Sequence, residues 1–595
     1  MSLPIFYQFK AIIMRYTIAI ITACLLLVPA FCTAQLASAQ KLNLRLELSS
    51  SGVKVDSLLS EQQIENLFVL GKTWGFLKYY HPDVAKGSYN FDSFLFRILP
   101  PVLKAENKLK RDELLFNWVN TLGDENKYAA VAPINDSNLH SKPNLGWLND
   151  KNLFSEKLAK KLNNIYLHRN ADSNYYVGPA EEGNPSFAKE ATYKSMSAED
   201  DGLRILALFR YWNIIEYFFP YKHLFKEDWT NLLKEFLPQF ASNRSALDYR
   251  LTCWRLINRV HDTHASIYRD SILNNWTGMS GPAIDFKIID KKVIVRDYLD
   301  DSLAGFETVK PGDEIITVNG RSIAEIRKTF DPYICASNAT VADRNFLWRF
   351  LFFRKDDSLI ITYKRDGRIK KGIMHLYYRP PFQNGDSWRM PMHQLLSDEI
   401  GYINIGKIQT DSLPVIFKKF MNTKGIIIDI RNYPKEFLLP YAIGRYLKPA
   451  STPFVKYTGP DFKNPGAFKM IGFIKNGAGD GDSISTYKGW VVILINEQTQ
   501  SSAEYTAMAL RTAPRAVVMG SQTAGADGDV SYVPFPGGFY SPFSGLGIYY
   551  PDGKETQGIG IVPDVFVYPT QRGIAAGKDE VLEKAKEYIR NTKAF

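Results

Sequence analysis

Four short apolar runs toward the C-terminus constrain this fold more than any other feature: "IGYINIG" (400–406), "GIIIDIR" (425–431), "WVVILIN" (490–496) and "RAVVMG" (515–520). They are rich in Ile and Val, shorter than a buried helix, and separated by helix-forming segments. Strands that are apolar on both faces and joined through helices make a parallel sheet covered on both sides, an α/β layer. Reactive residues in such layers gather where a strand ends and a helix begins.

One junction of that kind carries two serines. The run ending at Asn496 passes through "EQTQ" into "SSAEYTAMAL", good helix formers at helical spacing, with Ser501 and Ser502 at its start. Ser501-x-x-Glu504 has the spacing of a capping box. The same position suits a nucleophile, because a strand-to-helix turn exposes a hydroxyl beside unpaired helix N–H groups able to hold an oxyanion. The junction alone leaves both readings open.

With 595 residues, 45% of them hydrophobic and 13% aromatic, the chain has material for three or four domains with full cores. Lys10 and Arg15 precede the apolar run Ile18 to Val28, followed by Pro29 and Ala37-Ser38-Ala39, which reads as an export signal over 1–39 cleaved before Gln40. An uncleaved anchor and a lipoprotein held through Cys32 are the alternatives, so membrane association stays open. The destination expected is the periplasm, the outer membrane or the exterior. Cys253 and Cys335 remain beyond that segment, enough for one pair and no disulfide framework. The formal charge of +11 is spread among acids, which argues against nucleic-acid binding. The eight histidines show no HExxH spacing and no C-x-x-C occurs, so neither a metal nor another cofactor is expected.

The first part of the chain contains a duplication. "LFVLGKTWGFLKYYHP" (67–82) set over "ILALFRYWNIIEYFFP" (205–220) pairs Trp74 with Trp212, Tyr79 with Tyr217 and Pro82 with Pro220, all at an offset of 138. Asp124 falls on Asp262 at the same offset. Two helical units are expected, at 40–180 and 181–275, with each leading helix stopped by its proline. His264 follows Asp262 by two residues, whereas the first copy has Asn126 there. A histidine present in one copy is not required by the scaffold, which leaves a satisfied polar residue and a catalytic base as its two readings.

Between 276 and 378 the pattern changes to short strands around "KPGDEIITVNGRSI" (310–323), with Asn319-Gly320 as a two-residue hairpin turn. Gly312, Asp313, Ile315, Asn319 and Gly320 match the "GD-x-I-x-x-x-NG" segment of bacterial PDZ domains, which the stretch resembles. That implies capture of an extended peptide by strand addition. With the four apolar runs, "VVMGSQTAG" and "GIGIVPDV" in this order after such a segment, residues 250 to 570 resemble the S41 peptidases. This family includes the C-terminal processing (tail-specific) proteases, tricorn and the retinoid-binding interphotoreceptor proteins. The fold class implied is multidomain α+β: N-terminal helical repeats, a PDZ-like β domain, and an α/β catalytic core over 385–595 of ClpP/crotonase-like type.

The resemblance also implies a site. The family's nucleophile is the serine of "S-x-x-E", here Ser501. The lysine of its processing branch falls on Ala526, which excludes a Ser-Lys dyad at that position. The tricorn-like branch uses a histidine ahead of the PDZ segment and a glutamate before the final "G-x-x-PD", which map onto His264 and Glu555, with Thr263 as an assisting hydroxyl. Oxyanion donors are expected from the backbone N–H groups of Ser502 and Lys435, the latter where relatives often carry glycine. A Ser-His-Glu endopeptidase acting on polypeptides is the expectation. A non-catalytic peptide- or lipid-binding protein on the same fold is the alternative.

Overall fold

A computed structural model describes residues 48–134, 137–380, 387–479 and 484–592. The leader reading at 1–39 lies outside the described residues. Among those described, no helix is long and apolar enough to cross a membrane.

The duplication is visible down to single hydrogen bonds. Helices Phe91–Leu103 and Lys108–Asn120 of the first copy recur 138 residues on as helices beginning at Trp229 and Ala246. Their N-caps also correspond, Asn90 with Asp228 and Asn107 with Ser245, each side chain accepting from an N–H of the first turn. The Trp74 indole donates to the Phe91 carbonyl at 3.3 Å, and the Trp212 indole to that of Trp229 at 2.8 Å. The same tertiary tie is thus made twice. The leading helices, Glu61–Tyr80 and Asp201–Phe218, both stop just ahead of a proline, whose ring disfavours helical geometry in the residue before it. They cross at close range: a Cβ on Gly71 would stand 2.6 Å from the Phe209 ring, and Asn213 Nδ2 donates to the Gly71 carbonyl at 3.0 Å. The Asp201–Phe218 helix is buried along its whole length.

The C-terminal layer is the expected one. Strands Ile400–Asn404, Gly425–Asp429, Trp490–Ile495, Ala516–Gly520 and Val565–Phe566 run parallel, and His393–Ser397 closes one edge antiparallel. Helices Leu413–Phe420, Leu439–Leu447 and Ser502–Leu510 bury their apolar stripes on one face, and Glu580–Asn591 covers the other. Such two-sided burial explains the unbroken isoleucine and valine runs.

The third body is inserted between the helical repeats and this layer. Its sheet carries strands in the order Arg368–His375, Ser358–Arg365, Glu314–Val318, Lys292–Tyr298, Ile284–Ile289, with the last at an edge. Asn319 (φ +48°) and Gly320 (φ +77°) both adopt the left-handed conformation that a two-residue hairpin turn demands. The insert enters and leaves side by side, Ser280–Gly281 pairing with Tyr377–Tyr378.

One contact joins the bodies at the place that matters for function. The hairpin Val530–Phe535/Phe539–Ser544 leaves the α/β layer and enters the helical core, where Phe535 stacks on Tyr211 at 5.4 Å and Tyr249 donates to the Pro536 carbonyl at 2.9 Å. Helical repeats, insert and hairpin share one continuous apolar core. The two thiols do not pair: Cys253 and Cys335 are free and buried.

Candidate active site

Ser501 ends the turn after strand Trp490–Ile495 and precedes helix Ser502–Leu510 with φ +56° and ψ −124°. A residue with a Cβ pays roughly 1–3 kcal/mol for such a backbone and keeps it only where the surroundings enforce it. Here they do. The Ser501 N–H is held by the Ala526 carbonyl at 3.0 Å and the Glu504 carboxylate at 3.3 Å. Glu504, fully enclosed, also accepts from the N–H groups of Gly525 (2.8 Å) and Ala526 (3.0 Å) and from the Thr523 hydroxyl. Burial pushes its carboxyl above the usual range in spite of these bonds. Glu504 thus fastens loop 523–526 against the serine turn, and Ala526, where a lysine would stand in the processing branch, contributes its backbone instead.

His264 reaches the site from the far end of the second repeat. Asp262 accepts from the His264 N–H at 3.1 Å, the same turn that Asp124 makes with the Asn126 N–H at 3.0 Å in the first copy. The second copy adds a tertiary partner. Ser544, at the end of the hairpin, donates its hydroxyl to Asp262 Oδ1 at 3.0 Å and its N–H to Oδ2 at 2.6 Å. His264 Nδ1 lies 2.9 Å from the Ser544 oxygen and 3.8 Å from Asp262. Because the Ser544 hydrogen is given to the carboxylate, its oxygen accepts, so Nδ1 carries the proton and Nε2 keeps a free lone pair. Burial holds the imidazole below the ordinary histidine range, with Asp262 acting in the opposite sense and Arg344 in the same sense as burial. The ring is therefore neutral near pH 7.

A cavity of about 970 Å³ has His264 and Gln500, the residue before Ser501, in its wall. Among the described residues no hydrogen bond joins His264 to Ser501.

Three of the expected residues stand elsewhere than the resemblance implied. Glu555 pairs with His223 Nε2 at 2.6 Å and not with His264. Its backbone bridges to Tyr549, and Gln557 is the residue that reaches Asp262, at 3.4 Å. Thr263 does not address the histidine: its hydroxyl exchanges bonds with Ser337 and touches the Ala524 carbonyl at 3.4 Å, bracing the insert against loop 523–526. The Lys435 N–H is spent on the Ile405 carbonyl at 3.2 Å, which removes it as an oxyanion donor. The Ser502 N–H, opening a helix, has no intrahelical acceptor. Asp262 and Ser544 were missed as site residues. The duplication marks Asp262, but as scaffold, and nothing local marks Ser544.

No group of His, Cys, Asp and Glu among the described residues has the geometry to hold a metal ion.

Residues 399–567 match the model of peptidase family S41. No curated protein matches the chain. Among solved structures, mature CPAF complexed with lactacystin shares 15% identity over 66% of this chain and 99% of its own, with a TM-score of 0.52. A serine-to-alanine variant of CPAF gives 15% identity, the same coverage and a TM-score of 0.53. A putative peptidase from Parabacteroides merdae matches at 15% identity over 66% of this chain and 97% of its own, with a TM-score of 0.42. The CPAF likenesses establish a shared fold, and the family match falls on the layer that holds Ser501: residues 399–567 carry the core of peptidase family S41.

Proposed function

We propose that this protein is an exported endopeptidase that opens peptide bonds through an acyl-enzyme on Ser501, with His264 as general base and Asp262, acting through Ser544, fixing the imidazole. The observation that carries this reading is a serine held at φ +56° on a strand-to-helix turn, next to a cavity whose wall holds Gln500 and a histidine with its Nδ1 committed to Ser544. His264 Nε2 takes the Ser501 hydroxyl proton as the oxygen attacks the scissile carbonyl. The Ser502 N–H donates to the oxyanion. The imidazolium then protonates the departing amine, and a water activated by the same nitrogen frees the acyl group. Export rests on the leader-like N-terminal sequence.

The insert, read as PDZ-like, takes an extended peptide at the edge strand Ile284–Ile289. Two cavities flank that strand, of about 330 and 400 Å³, and both include Phe286, Leu347 and Trp348.

A fluorophosphonate probe tests the chemistry. Labelling of the wild type that is abolished in Ser501→Ala is expected. A folded wild-type protein that takes no label refutes the enzyme reading and leaves the binding protein. Lactacystin, found with CPAF, serves as a second probe.

A further inference from the structure

The cavity beside His264 is cationic beyond anything the acyl transfer needs. Arg344, Arg349 and Arg269 line it, and its wall contains no aspartate or glutamate. Arg344 is only 7% exposed, yet it spends its donors on neutral oxygens: the Glu497 carbonyl at 2.7 Å, Gln500 Oε1 at 2.8 Å and Asn345 Oδ1 at 3.1 Å. Arg349 donates to Ser266 Oγ at 2.6 Å and to the Ile267 carbonyl, and lies over the Trp254 ring at 4.3 Å. Arg269, at the mouth, is exposed and held at φ +55°.

Other buried arginines of this chain are treated differently. Arg111 pairs with Asp112, Arg204 with Asp201, Arg210 with Asp92, Arg250 with Asp270 and Arg431 with Asp429. Arg169, also without a carboxylate, is filled by four oxygens well away from this cavity. Arg344 and Arg349 instead combine a place on the cavity wall with the lack of any carboxylate in ion-pair contact among the described residues. Burial lowers the affinity of both for their protons, that of Arg344 to about 10 although the more distant Glu497 and Glu504 carboxylates act in the opposite sense. A buried guanidinium in this state is costly, and an arriving anion relieves the cost.

We propose that this cavity is a specificity site for acidic substrates: the carboxylate of an aspartate or glutamate side chain close to the scissile bond enters it and supplies the ion-pair partner that the arginines lack. The proposal rests on the reading of Ser501 and His264 as the reacting pair, because that reading places the cavity beside the scissile bond. Guanidinium groups suit the task through their planar, bidentate match to a carboxylate. The same cavity should turn away lysine- and arginine-rich segments.

Binding to the inactive Ser501→Ala protein separates this idea from the catalytic one. Fluorescein-labelled nonapeptides carrying Glu, Gln or Lys at successive positions, each with a free or an amidated C-terminus, would be titrated by anisotropy at low and at high salt. The expected result is at least tenfold tighter binding of a Glu peptide than of its Gln counterpart, whether the C-terminus is free or amidated. That advantage should shrink at high salt and fall below twofold when Arg349→Gln or Arg269→Gln is added. Arg269 is exposed, so its variant folds even if the Arg349 one does not, and circular dichroism checks both. An advantage below threefold at every position, or one that survives both substitutions, overturns the proposal. Fluorophosphonate labelling of the wild type reports on Ser501 independently of either result.

Discussion

Ser544→Ala is the substitution that most directly tests how the imidazole is held. The Ser544 hydroxyl accepts from His264 Nδ1 at 2.9 Å and donates to Asp262 at 3.0 Å, and its removal breaks both bonds. As the ring becomes imidazolium in the transition state, a hydrogen bond to a charged group contributes about 1.5–3 kcal/mol. Asp262 remains 3.8 Å from Nδ1 and retains part of its attraction, so the loss belongs to the lower half of that range. At about 1.4 kcal/mol per tenfold, kcat should fall roughly 10- to 30-fold. KM should change little, because Ser544 lies behind the ring and away from the substrate. Glu555→Gln, which removes only a partly exposed pair with His223, should stay within about threefold of the wild type. Steady-state turnover of a quenched-fluorescence peptide, with the rate of fluorophosphonate labelling beside it, reads both variants. If Ser544→Ala keeps within twofold of wild-type kcat, or Glu555→Gln is the more damaging of the two, the relay described here is wrong.

Further outcomes follow from the same geometry. His264 must be neutral to act as a base, and burial depresses its ionisation, so kcat/KM should be full at neutral pH and fall on acidification only through a midpoint below the ordinary 6.5; a midpoint above 6.5 contradicts this. His81 is fully buried with no partner on either ring nitrogen among the described residues, and burial lowers it from 6.5 to about 4. Its unfolded form binds the proton first, so stability is complete above 6.5 and is lost as pH falls toward 4, by roughly 3 kcal/mol at about 1.4 kcal/mol per unit. His81→Phe, the residue that the second copy carries at Phe219, should flatten the drop in urea midpoint between pH 7 and pH 4.5, and an unchanged drop assigns the acid sensitivity elsewhere. Ile288→Asp, on the edge strand of the insert, should raise KM for long peptides and leave hydrolysis of a small neutral ester unaffected; equal effects on both would mean that the edge strand binds no peptide.

The sequence by itself determined the layers. Isoleucine and valine runs bounded by helices dictate a parallel sheet wherever they occur, because only two-sided burial satisfies them. Caps, turn glycines and stop prolines are local chemistry, so the duplication at an offset of 138 could be read, and the structure repeats its helix starts, its tryptophan ties and the aspartate turn at Asp124 and Asp262. The Ser501 junction was legible for the same reason: strand, turn and helix are adjacent in the chain.

Tertiary structure decided everything that depends on distant segments meeting. Ser544 stands 280 residues from His264, and no spacing rule connects them; only the hairpin's entry into the helical core brings its hydroxyl to the ring. Glu555 stands ahead of "G-x-x-PD" in the chain, yet in space it pairs with His223, and Gln557 faces Asp262. Motif spacing does not encode that choice. Lys435 offers an N–H in sequence that Ile405 consumes in space. The arginine-lined cavity likewise exists only because Arg269, from the end of the helical repeats, and Arg344 and Arg349, from the insert, converge on one wall, where a scattered positive charge becomes a concentrated one.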